Sequence, residues 1–115
     1  MQRESVDARK QMEENSMTQG DPVLVTTDKR GVFFGYYESS ESRPGEGVSV
    51  TLTKARNCVY WDAATKGFLG LAANGPGPGC RIGPAADRLV LFGVTSTAVV
   101  AKAAVKNWEG APWAS

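Results

Sequence analysis

The sequence predicts an α+β domain built mainly from an antiparallel, curved β-sheet of five or six strands, with a short N-terminal helix and a short C-terminal helix. Three observations carry this. Residues alternate with period two in "PVLVTT", "VFFGYY" and "VSVTLTK"; turn residues separate these runs; and apolar residues at helical spacing appear only near the two ends. The chain divides into an N-terminal helix or flexible arm over residues 1–20 and a single β-rich domain with a C-terminal helix over residues 21–115.

Each element follows from its residues. Residues 3–19 are densely charged, with Val6 and Met12 as the inward-facing pair of a short amphipathic helix, or else a frayed tail. "PVLVTT" (22–27), the turn "DKRG" and "VFFGYY" (32–37) form a β-hairpin whose second strand is apolar or aromatic on both faces: Val32, Phe34 and Tyr36 on one, Phe33, Gly35 and Tyr37 on the other. Residues 38–47 are a solvent loop or a long hairpin tip closed by Pro-Gly. "VSVTLTK" (48–54) turns Val48, Val50 and Leu52 to the core, and a bend near Arg56 and Asn57 separates it from "CVYW". "DAATKG" is a turn, and "FLGLA" (68–72) a short strand in which Gly70 leaves room for another backbone or a ligand. "DRLVLFGV" (87–94) is a strand that "TSTAVVA" continues or bends. "AKAAVKNWEG" (101–110) is a helix with Ala101, Ala104, Val105 and Trp108 on one stripe and Gly110 as its stop.

Composition narrows the function. Apolar content of 42% and charged content of 22% are those of an ordinary soluble globular protein, and no apolar run approaches the roughly 18 residues of a membrane span. With a polar, charged start that does not read as a signal peptide, a cytoplasmic location and no membrane partner are expected. A formal charge of +1 argues against a nucleic acid polymer held by bulk electrostatics. The absence of histidine removes imidazole bases, histidine triads and most zinc sites, so no metal and no cofactor are expected, and Cys58 and Cys80 read as reduced thiols.

The chemistry concentrates around "NGPGPGCRIGP" (74–84). It is not a phosphate-cradling loop, because Pro76 and Pro78 each delete a backbone donor and no Gly-Lys-Ser/Thr follows. It reads instead as a stiff rim, with Asn74 and Arg81 on opposite sides of a pocket and Cys80 tucked inward. The acids Asp62, Asp87 and Glu109 fall at element edges, where capping or solvated roles are the default, so a binding protein is favoured over an enzyme. Arg30, Arg43, Arg56, Arg81 and Arg88 lie at strand ends or in turns and suit phosphate, which guanidinium grips through paired bonds. Phe34, Tyr36, Tyr60, Trp61 and Phe68 offer faces on which a base stacks, although core packing is each one's more common role. Asn74 either meets an adenine edge or caps its own turn.

Taken together, "RGVFFGY", "TLTKARNCVYW", "GFLGLAANGP", "GCRIGPAAD" and the closing W-E-x-A-P-W resemble a family of small phage and prophage proteins of largely unassigned role, and within it the first type of phage Thoeris anti-defence "sponge" proteins, which sequester cyclic ADP-ribose signals. The resemblance implies a phage-encoded homo-oligomer, dimer or hexamer, that captures a cyclic nucleotide signal in the host cytoplasm without cleaving it. It implies ligand contacts from Phe68, Asn74, Arg81 and Arg30, and a second site for cyclic oligonucleotides between protomers with Arg43 and Arg56. The alternative is a phage accessory module that binds proteins and no small molecule.

Overall fold

The computed structural model of the chain describes residues 17–112. The expected N-terminal helix, including Val6 and Met12, falls almost wholly outside the described residues, as does Trp113 of the tail. Within them the order is β1 (Pro22–Thr27), β2 (Val32–Arg43), β3 (Gly47–Tyr60), a 3-10 turn (Ala63–Thr65), α1 (Gly67–Asn74), β4 (Arg81–Ile82), β5 (Ala86–Leu91), β6 (Val94–Val99) and α2 (Lys102–Gly110). The architecture is therefore the expected antiparallel sheet of six strands with two short helices, one near the C-terminus. No helix among the described residues is long and apolar enough to cross a membrane.

Connection lengths dictate how the sheet curves. Its lateral order is β5-β3-β2-β1-β6, with β4 pairing the end of β3 beyond β5. Laid flat, β5 and β6 would stand at least about 19 Å apart at roughly 4.8 Å per strand. Only Phe92 and Gly93 join them, a reach of at most about 11 Å. The sheet must roll until its edges meet. At the junction Gly93 takes a φ of 66° and its carbonyl accepts a bond from the Asp28 amide at 2.8 Å. The expected long strand over 87–101 is thus broken here into two strands on opposite edges.

Rolling gives the sheet two apolar faces with different partners. Inside lie Val23, Val25, Val50, Leu52, Ala55 and Leu91, with Phe33 and Tyr37 against them. Outside, Leu24, Val32, Phe34 and Cys58 pack under the two helices through Leu71, Ala104 and Trp108. The rings of Phe34 and Trp108 stack at 5.2 Å with 3° between planes, and Tyr36 meets Phe34 edge-on at 5.5 Å. Hence the aromatic alternation on both faces of β2.

β3 is one continuous strand, and a bulge takes the place of the expected bend. Tyr36 faces Thr53 while Phe34 faces Arg56, so Lys54 and Ala55 together oppose Gly35. Lys54 sits in the left-handed region at φ 51°. Leu52 and Val50 point into the roll before the bulge; Arg56 and Cys58, of the same parity, point to the helix side after it.

"FLGLA" is helical, not a strand. Residues 68–72 form the middle of α1, entered through left-handed Lys66 at φ 63°. The exposed face of α1 carries Leu69 and Ala73, so the run lacks the polar stripe that marks a surface helix and its periodicity is silent. Gly70 does make room for another backbone: a methyl there would overlap the Thr65 carbonyl. The C-terminal carbonyls of α1 are taken by the Gly75 amide, the Ala101 amide, the Trp108 indole at 3.1 Å and the Asn107 amide at 2.9 Å, which clamps α1 to α2.

Residues 38–47 are a hairpin tip. β2 and β3 continue past their neighbours as a two-stranded arm, paired from Glu41–Ser49 to Arg43–Gly47, and residues 39–48 are exposed.

Candidate functional site

Arg56 enters the outer layer because of the bulge, and there it is only 8% exposed. Its Nε donates to the Gly83 carbonyl at 2.6 Å, Nη1 to the Trp108 and Glu109 carbonyls at 2.9 and 3.2 Å, and Nη2 to the Ile82 carbonyl at 3.5 Å. Burial lowers its pKa. The charge is met by carbonyl dipoles, two of them at the C-terminal end of α2, where a cation is favoured. Arg56 fastens α2 and the β4 region to the sheet, and its donors are spent there.

The other arginines scatter. Arg43 sits at the arm tip, paired to Glu41 at 3.1 Å and Glu46 at 3.7 Å. It is about 30 Å along β3 from Arg56, at roughly 3.3 Å per residue, so no small ligand touches both within one protomer. Arg88 pairs with Glu38 at 2.7 Å. Arg30 occupies the exposed β1–β2 turn in the left-handed region, at the sheet end where β3 finishes. Phe68 is half-buried against the outer core.

Arg81 behaves differently. In the β3–β4 ladder it stands opposite Tyr60, whose side chain is 52% exposed. The register slips between Cys58 and Tyr60, and both Tyr60 and Arg81 are exposed to solvent. Among the described residues no carboxylate pairs with Arg81.

Two residues beyond Tyr60, Asp62 continues in extended backbone and lies against Gly79 of the glycine-proline loop. A methyl at Gly79 would overlap the Asp62 carboxylate and push it aside. The loop, the 3-10 turn and α2 enclose a concavity of about 340 Å³ lined by Asp62, Thr65, Asn74, Pro76, Pro78 and Asn107. Cys80 is buried at the far end of the loop and Arg81 follows it, so Asn74 lines the concavity while Arg81 stands outside it, beside Tyr60. Thr65 and Asn107 escaped the sequence reading, and Asp62 was read as an edge acid with a capping or solvated role; nothing in its spacing shows that Gly79, 17 residues later, packs against its carboxylate.

Asp62 caps nothing with its side chain, and no side chain among the described residues bonds it. The two strongly shifted groups elsewhere hold their protons at neutral pH. Burial, together with the Glu109 carboxylate that its hydroxyl bonds, pushes the Tyr36 phenol up to about 12. Burial, with Cys80 nearby, pushes the Cys58 thiol up to about 12. Both shifts run away from the range of a working base or nucleophile.

A second concavity, of about 390 Å³, lies at the base of the arm, between Ser39, Arg43, Ser49, Val48, Val90 and Phe92. Residues 20–108 match the family model of a domain of unknown function (DUF6948). No curated protein and no solved structure matches the chain.

Proposed function

We propose that this chain, which belongs to the family of the domain of unknown function DUF6948, is a non-catalytic binding protein that captures a nucleotide at the glycine-proline loop. One observation carries the reading: the exposed Tyr60 and Arg81 are register partners on the ladder that leads to the Asp62 concavity, and no carboxylate among the described residues pairs with Arg81. A base stacks on Tyr60, a phosphate pairs with Arg81, and the remainder of the ligand enters the concavity that Asp62 and Asn107 line. Pro76 and Pro78 hold that loop in advance, so little ordering cost falls on binding.

Magnitudes set the mode of action. A stack at about 1–3 kcal/mol and two charge-assisted contacts at about 1.5–3 kcal/mol each total about 4–9 kcal/mol, the scale of a millimolar to micromolar complex. Sequestration of a scarce signal at nanomolar strength therefore needs a second protomer to bury the exposed side of the ligand. A homo-oligomer holding a cyclic ADP-ribose isomer or a cyclic oligonucleotide uncleaved, as an anti-defence sponge does, meets that requirement.

Native mass spectrometry of the protein mixed with ADP, cyclic ADP-ribose and a cyclic dinucleotide tests the proposal. At least one nucleotide is retained and released intact on heating, and Arg81→Ala weakens it about tenfold or more, while Lys66→Ala changes it less than twofold. Hydrolysed product, or no retention of any nucleotide, refutes capture.

A protein-interaction module is the second reading, favoured by the arm. Phe92 is 73%, Val90 46% and Val48 37% exposed around the concavity at its base, a cluster of apolar surface that suits a macromolecular partner. A bare oligomer in the same spectra supports this reading.

A further inference from the structure

We infer that Asp62 reads the sugar of the captured nucleotide, its carboxylate accepting hydrogen bonds from the 2′- and 3′-hydroxyls of a ribose; this rests on the nucleotide reading above. The donors and acceptors of the concavity decide it. The Asn107 amide nitrogen donates one N–H to the Asn74 carbonyl at 2.9 Å, which leaves its second N–H as a donor and its oxygen as an acceptor. The Thr65 hydroxyl spends its proton on the Asp62 carbonyl at 2.8 Å. An ionised carboxylate only accepts. A ligand group seated on the Asp62 carboxylate must therefore bring donors, while Asn107 serves either kind of neighbour.

A phosphate brings none and is repelled by the carboxylate, so it belongs on Arg81. A cis-diol brings two donors at a separation that two carboxylate oxygens match. Position agrees. Asp62 follows Tyr60 by two extended residues, about 6–7 Å, the distance from a stacked base to the hydroxyls of its own sugar. The seat is built tightly enough to discriminate, since Gly79 leaves no space between the loop and the Asp62 carboxylate. The one other fragment with two adjacent donors is the Watson–Crick edge of guanine, which makes base identity the competing assignment.

Isothermal titration with ADP, 2′-deoxy-ADP and GDP separates the possibilities. The wild-type chain is expected to prefer ADP to 2′-deoxy-ADP by about tenfold. Asp62→Asn should remove the preference by weakening ADP alone, leaving 2′-deoxy-ADP within about twofold. Gly79→Ala, which displaces the same carboxylate without changing it, should also lose the preference while its thermal melt still shows a folded protein. Equal wild-type affinity for ADP and 2′-deoxy-ADP overturns the sugar assignment but leaves nucleotide capture standing. So does a tenfold preference for GDP that Asp62→Asn abolishes. Failure to bind any of the three overturns both.

Discussion

At the scale of single residues, Arg56 shows how chemistry and position part company. Its side chain is the best hydrogen-bonded guanidinium among the described residues, and its partners are carbonyls of its own fold. Arg56→Met strips partners from these carbonyls and is expected to cost about 2–4 kcal/mol in urea unfolding. Arg56→Lys recovers only part of that, because one ammonium cannot span carbonyls on two sides. Arg43→Ala, which breaks only exposed pairs, stays within about 0.5 kcal/mol. A loss below about 1 kcal/mol for Arg56→Met would remove its fastening role. From sequence the two arginines look alike, both at turns or strand ends. What separates them is the bulge two residues before Arg56, invisible in the alternation of "VSVTLTKARNCVY".

At the scale of elements, the glycines of α1 and the following loop divide into those that are enclosed and those that are not. Gly70→Ala drives a methyl into the Thr65 carbonyl and should cost about 2 kcal/mol or more, a fall in melting temperature of several degrees. Gly77 has open space around it and an ordinary backbone conformation, so Gly77→Ala should leave the melt unchanged or raise it slightly. Calorimetry on the two variants that gave equal shifts would contradict the packing described for α1. The strands of the first hairpin and the Val50 and Leu52 stretch of β3 were legible because one period governs each; Val48, expected in the core, is exposed because it lies on the arm. α1 was not legible, because its exposed face carries Leu69 and Ala73 and so lacks the polar half of a helical pattern. Asn74 was legible as part of a concavity beside the loop; the contact of Asp62 with Gly79 was not, because it depends on a close approach between segments that the sequence keeps apart.

At the scale of the molecule, the roll and the arm have opposite stabilities. Val23, Leu24 and Val25 are fully buried on a strand paired along both edges. Residues 41–49 pair only within the arm, and a lone two-stranded ribbon is marginal in water. Hydrogen exchange should therefore be slowest at Val23–Val25 and fast through Glu41–Ser49; strong protection of the arm at low protein concentration would mean that the roll extends over it. If protection there appears only as concentration rises, the arm is where copies meet.

The bulge at Lys54 gives β3 something like a reading frame. A strand is decoded two residues at a time, and one inserted residue re-letters everything downstream: upstream of Lys54 even-numbered positions spell the interior of the roll, and downstream they spell the helix-facing layer. Losing Lys54 would thus be a frameshift in three dimensions, sending Asn57 and Val59 under the helices and Arg56 and Cys58 away from them. Changing Lys54 to another residue that tolerates a left-handed backbone would alter a single letter.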